Sequence, residues 1–208
     1  MKMKRVEFEA KNLNEAEKYA VEQLRIPLDK IKITVLKEKK GILGIGASQT
    51  YEAIANVSLA LEGKRYIESI LKELEIDVKI ELRTLNDGKE IHYRIESEEN
   101  ALLIGREGRT LQAFQFMLRS YLNIFTNDHL VVSLDIGRYH ENRKRQLEIL
   151  ATKTAKEVAF TKVPVKLDPM NAFDRRIIHT KLSEWRDITT ESVGQGEDRA
   201  IVIKPKNK

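Results

Sequence analysis

The 208-residue chain carries 37 Lys/Arg against 32 Asp/Glu and no cysteine, which excludes disulfides and thiolate metal sites. With 41% hydrophobic and 33% charged residues, it reads as globular and long enough for one to three small domains. No apolar run approaches the roughly 20 residues of a membrane span, and the opening MKMKRVEFEA lacks the apolar core of a signal peptide. The charge is uneven: residues 1–136 hold 21 Lys/Arg against 22 Asp/Glu, whereas residues 137–208 hold 16 against 10. A net −1 beside a net +6 points to a polyanionic partner for the C-terminal third; a solvated basic face is the plain alternative.

In chain order, Val6, Phe8 and Ala10 alternate with Glu7 and Glu9, the period of a half-buried strand. Leu13, Ala16, Ala20 and Leu24 then recur on one helical face, with Asn12 placed to cap it. KIKITVLKE alternates again through Ile31, Ile33 and Val35, and TYEAIANVS reads as a further strand. The first segment is therefore β-α-β-β. Between its last two strands lies KKGILGIG, with Gly41, Gly44 and Gly46. Its order G-x-x-G-x-G, followed by a strand, matches neither a P-loop nor a dinucleotide fingerprint. It reads as a tight connection whose Ile42, Leu43 and Ile45 pack on the fold.

A second segment starts near Gly63, where Tyr66, Ile67, Ile70, Leu71 and Leu74 form a helical stripe. IDVKIELRTL and KEIHYRIES are predicted strands joined at Asp87-Gly88, a hairpin signal. A short helix, NALLI, runs into Gly105-Arg106-Glu107-Gly108. The next helix shows Leu111, Phe114, Leu118, Tyr121, Leu122 and Phe125 on one face, and HLVVSLDI closes the segment as a strand.

The third segment opens with the helix RYHENRKRQLEILATKTAKEVAF. Leu147, Leu150, Ala151, Thr154 and Val158 face inward, and Arg138, Arg143, Lys144, Arg145, Lys153 and Lys156 charge the remainder. HENRK is no zinc motif, because Lys144 occupies the second ligand position. Asp168-Pro169 is placed to cap the helix MNAFDRRIIHTKL, with Met170, Phe173, Ile177 and Leu182 on its apolar side. Arg175 and His179, four residues apart, are neighbours on one face. Two strands follow around Gly194-Gln195-Gly196, with Arg199 entering the second. No catalytic constellation and no cofactor or metal motif emerges: the four histidines are scattered, and the carboxylates lack a paired apolar pocket.

Helix–GxxG–helix within α-β-β-α-α-β resembles a type II KH domain; the rival reading is a helix-turn-helix corner that needs glycine for its turn. Such a loop clamps about four nucleotides of single strand, so Gly105, Arg106, Glu107, Gly108 and Arg109 are candidate RNA-binding residues. Glu107 departs from the basic pair common in such loops, and Arg109 offsets its charge. Arg175 to His179 followed by SVGQGEDRAIVI resembles the R-3-H domain, whose nucleic-acid residues map to Arg175, His179 and Arg199. Taken alone, such a pair is more often a surface salt-bridge partner.

The three parts in this order, with KKGILGIG, IGREGRTLQAFQ and PMNAFDRRIIHTKL as markers, are similar to the bacterial Jag family, also called SpoIIIJ-associated or KhpB proteins. The resemblance implies an α+β fold of three small domains: a Jag-N-like domain at residues 1–58, a KH domain at 63–136 and an R-3-H domain at 137–208. It further implies a cytoplasmic, non-enzymatic RNA-binding protein linked to cell shape and cell-wall regulation, with a smaller KH protein as partner. It also admits single-stranded DNA as a ligand. A scaffold whose KH fold forms a homodimer is the alternative function. Many relatives have a longer linker between the first two domains, which here nearly abut at residues 58–63.

Overall fold

The computed structural model describes residues 1–39 and 48–206, so most of KKGILGIG, with Gly41, Gly44 and Gly46, lies outside the described residues. The chain divides into two compact units, Met1–Gly137 and Arg138–Lys208.

The first unit begins with β1 (Arg5–Ala10), α1 (Leu13–Leu24), β2 (Ile31–Lys39) and β3 (Ser48–Ala55). The Asn12 side chain accepts from the Glu15 amide at 3.0 Å, which starts α1 where the sequence places it. Both β1 and β2 pair antiparallel with β3, giving the order β1-β3-β2. Tyr51, Ala53 and Ala55 of β3 alternate inward against Ala16, Ala20 and Leu24 of α1. Leu13 and Val35, both predicted inward, are about half exposed. Leu13 occupies the first helical turn, and Val35 sits at a register shift between Val35 and Lys37 that breaks the alternation.

The unit continues with α2 (Leu59–Glu73), β4 (Lys79–Leu85), β5 (Glu90–Glu96), α3 (Asn100–Ile104), α4 (Arg109–Leu122) and β6 (Val131–Ile136). β5 is central, antiparallel to β4 and parallel to β6. A parallel pair needs a crossover, and here the crossover is α3, the glycine turn and α4. Ile91, Tyr93, Ile95, Val132, Leu134 and Ile136 form the buried face of this sheet; Ile67 and Leu71 of α2 and Leu111, Leu118 and Leu122 of α4 are buried as well.

Gly63 does not open the segment; it lies inside α2, which starts four residues earlier, at Leu59. A Cβ there would sit 2.1 Å from the Tyr93 hydroxyl. The glycine is a packing requirement, and the Tyr93 hydroxyl donates to the Ala60 carbonyl of the same helix at 3.0 Å. Leu74 is 60% exposed, because α2 ends at Glu73 and no later turn folds it back onto the sheet.

The two sheets of this unit are tied together. Lys4 N–H donates to Phe125 O at 2.9 Å, Asn127 N–H to Lys2 O at 3.2 Å, and Lys2 N–H to Asp128 Oδ2 at 2.8 Å. A second tie is polar and largely buried: the Lys30 ammonium and the Tyr121 hydroxyl both donate to Glu62 Oε1, and Lys30 also donates to Tyr121 Oη at 3.0 Å. Burial alone would raise the Glu62 pKa, but the hydrogen bonds from Lys30 and Tyr121 outweigh it and hold the carboxyl below its ordinary value. Tyr121 stacks on Tyr66 at 4.2 Å and meets Phe125 edge-on at 5.4 Å.

The second unit comprises α5 (Tyr139–Thr161), β7 (Val165–Lys166), α6 (Ala172–Leu182), β8 (Ile188–Val193) and β9 (Ala200–Pro205), with sheet order β7-β9-β8. Its core joins Leu147, Ala151, Ala155 and Val158 of α5 to Ile178 and Leu182 of α6 and Ile188, Ile201 and Ile203 of the sheet. Leu150 is 39% exposed, replaced in the core by Ala155. α6 starts three residues later than Asp168-Pro169 suggests, because Leu167 and Met170 still donate backbone hydrogen bonds to Ile201 and Arg199. Asn171 is the cap, accepting from the Asp174 amide at 2.9 Å. Phe173, in the first turn, is 60% exposed, and Ile178 fills the apolar face instead.

Candidate nucleic-acid interface

The glycine turn is built so that only glycine fits its first position. Gly105 ends α3 with φ +69°, and a Cβ on it would lie 2.1 Å from Thr110 Oγ1. Glu107 and Gly108 also take positive φ, at 55° and 78°. The turn closes through the Gly108 amide donating to Gly105 O at 3.2 Å. α4 then starts behind Gly108, with no side chain capping its first turn. The positive end of a 14-residue helix dipole therefore opens beside a backbone free of side-chain bulk. Arg106 and Arg109 are exposed, while Glu107 is half-buried between them. The arrangement suits an anionic sugar–phosphate chain, with Glu107 as the one opposing charge.

In the second unit, Arg175 and His179 lie one turn apart on α6. Arg175 Nη1 donates to Met170 O at 2.7 Å, and the Met170 amide donates to Arg199 O at 3.1 Å. The backbone of Arg199 is thus joined to Arg175 through one intervening residue. His179 Nδ1 contacts Thr190 Oγ1 on β8 at 2.5 Å, and both the His179 and Arg199 side chains are exposed. The three residues named from the sequence are brought to neighbouring positions on one unit, while the glycine turn belongs to the other.

The sequence alone places Arg143 among the solvent-facing cations of α5. It belongs instead to the support of this site. Its Nε and Nη2 donate to Asp174 Oδ2 at 3.0 and 2.8 Å, and the Asp174 side chain is only 4% exposed. This buried pair clamps the first turn of α6, and so the turn carrying Arg175, onto α5. The spacing Asn171-x-x-Asp174, a capping residue and an acidic third helical position, marks the start of α6 but not the partner of Asp174. Among the described residues no cluster of three or more His, Asp or Glu side chains is arranged to hold a metal ion. No described helix is long and apolar enough to cross a membrane.

Comparison with known proteins follows this layout. Residues 8–50 match the Jag N-terminus, 64–136 the KhpA/KhpB KH domain and 145–205 the R-3-H domain. The chain is 33% identical over 209 residues to the RNA-binding protein KhpB of Bacillus subtilis, covering 98% of this chain and 100% of that one. The chain belongs to the KhpB family. KhpB of Clostridium symbiosum is 31% identical over 99% of this chain and 94% of its own. KhpB of Lactiplantibacillus plantarum is 35% identical over 66% of this chain but only 42% of its own. These KhpB relatives are named as RNA-binding proteins.

Proposed function

We propose that this KhpB-family chain is a cytoplasmic, non-enzymatic protein that binds single-stranded RNA at two places, and that it acts as an RNA chaperone or post-transcriptional regulator of cell shape and cell-wall synthesis. Gly105 to Arg109 hold a short stretch at the start of α4. Arg175, His179 and Arg199 hold neighbouring phosphates, with domain limits taken as 1–58, 63–136 and 137–208. The observation that carries the reading is the uncapped start of α4 behind the glycine turn, flanked by the exposed Arg106 and Arg109. Joining two weak sites raises the effective concentration of the second once the first is filled. Replacing Arg106 and Glu107 with two aspartates tests it: affinity for single-stranded RNA falls while the fold persists. Unchanged affinity in a folded variant removes the glycine turn from the RNA site.

One observation favours a second reading, in which the KH fold pairs with another copy or with a smaller KH protein. Phe116 and Met117 stand 61% and 44% exposed on the outer face of α4. Phe116→Ser should then dissociate a dimer in sedimentation without changing RNA affinity.

A further inference from the structure

A second basic surface lies on the C-terminal unit, outside the Arg175/His179/Arg199 group. Arg145, Ile149, Lys153 and Lys156 of α5 and Lys181 of α6 line an open groove of about 430 Å³, with Glu148 its one acidic member. Arg145 is already paired with Glu141 at 3.3 Å. Among the described residues, no carboxylate lies within ion-pair distance of Lys153, Lys156 or Lys181. Lys181 follows His179 by two residues, which turns it by about 160° around the helix axis. It therefore leaves α6 on the opposite flank of the buried Asp174, Ile178 and Leu182 stripe.

Two features of this surface are unfavourable for an isolated protein. Lys153 and Lys156, three residues apart on one helix face, repel each other, and Lys181 adds a third charge from across the groove. Ile149 is 62% exposed and Phe160 89% exposed on the same α5 face as Lys153 and Lys156. A single-stranded polynucleotide relieves both, because its phosphates neutralise the lysines and its bases stack on an exposed aromatic ring. We infer that the α5/α6 groove is a further phosphate-backbone site for single-stranded RNA, reached by a strand that passes across α6 from the Arg175/His179 flank. The α6 cylinder is only about 10 Å across, so one strand can engage both flanks. This inference rests on the proposal that the protein binds RNA.

The test uses the full chain with Lys153, Lys156 and Lys181 all replaced by alanine, beside a second variant with all three replaced by arginine. Affinity for a single-stranded RNA of about 20 nucleotides, longer than one module's site, is measured across a salt series. Three lost phosphate contacts, at about 0.7 each, should flatten the logarithmic salt slope by about 2 in the alanine variant. The arginine variant should keep the wild-type slope. A folded alanine variant whose slope equals that of the wild type overturns the groove and leaves the RNA-binding proposal intact. Absence of RNA binding by the wild type removes both. If the alanine variant loses binding to phosphatidylserine-containing vesicles while keeping its RNA slope, the groove serves a membrane surface and the inference fails.

Discussion

Replacing Glu62 with alanine should loosen the first unit selectively. Its side chain is 5% exposed, whereas its main partner Lys30 retains 24% exposure. Removing one member of a fully buried ion pair costs about 3–5 kcal/mol, because the other charge is stranded. Lys30 can extend toward water, which lowers that cost to about 1–2 kcal/mol. The Arg65 contact, at 3.9 Å and with Arg65 75% exposed, adds little. Together with the lost bond from Tyr121, the expected loss is about 2–3 kcal/mol. With a urea slope of about 2 kcal/mol per molar for a unit of this size, the midpoint falls by about 1–1.5 M. The assay has a built-in control, since the single tryptophan, Trp185, lies in the second unit, whereas five of the six tyrosines lie in the first. The tyrosine near-UV signal should shift and the Trp185 fluorescence transition should not. The effect also depends on pH. A carboxyl depressed in the folded state contributes its full stability above the unfolded value, about 4.3, and loses it as pH falls through the folded value. The gap between wild type and variant should therefore narrow below about pH 4.3. A tyrosine midpoint that moves by less than about 0.3 M, or a gap that widens in acid, would rule out this role for Glu62.

Glu107→Lys should tighten single-stranded RNA binding and steepen the logarithmic salt slope by about 0.7, the value of one added phosphate contact; an unaltered slope places phosphate elsewhere. Asp174→Ala strands the Arg143 guanidinium and should destabilise the second unit by about 3 kcal/mol, read by Trp185 fluorescence. At temperatures where that variant remains folded, its RNA affinity should still fall, because the first turn of α6 is no longer clamped; wild-type affinity would refute this positioning role. Arg175→Ala with Arg199→Ala should weaken binding to all RNA sequences alike, as phosphate contacts position a strand without reading its bases; a loss confined to one sequence would contradict that.

The order of elements was legible because period and punctuation agreed in most segments. Asn12, Asp87-Gly88 and the Gly105/Gly108 pair are local signals, and the structure uses each where it stands. The misplaced boundaries share a cause: they needed contacts from distant parts of the chain. Gly63 looks like a boundary until Tyr93 is seen against it. Asp168-Pro169 looks like a helix start until Leu167 and Met170 are found bonded to Ile201 and Arg199. The Lys30, Glu62 and Tyr121 junction spans 91 residues of sequence between its ends, and no local pattern marks it. In the candidate site, the residue types could be read from the chain, but the buried Arg143–Asp174 support could not be separated from an ordinary basic helix.

In the proposed function, one RNA strand is held both at the glycine turn and at the Arg/His face of α6. Photo-crosslinking of purified full-length protein to thiouridine-labelled single-stranded RNA, followed by mass spectrometry of the attached peptides, addresses it directly. Crosslinks are expected within or beside residues 105–109 and within 175–199. Those crosslinks should be lost site by site in the paired aspartate variant of Arg106 and Glu107 and the paired alanine variant of Arg175 and Arg199. Crosslinks confined to other surfaces, or unaffected by both variants, would contradict it.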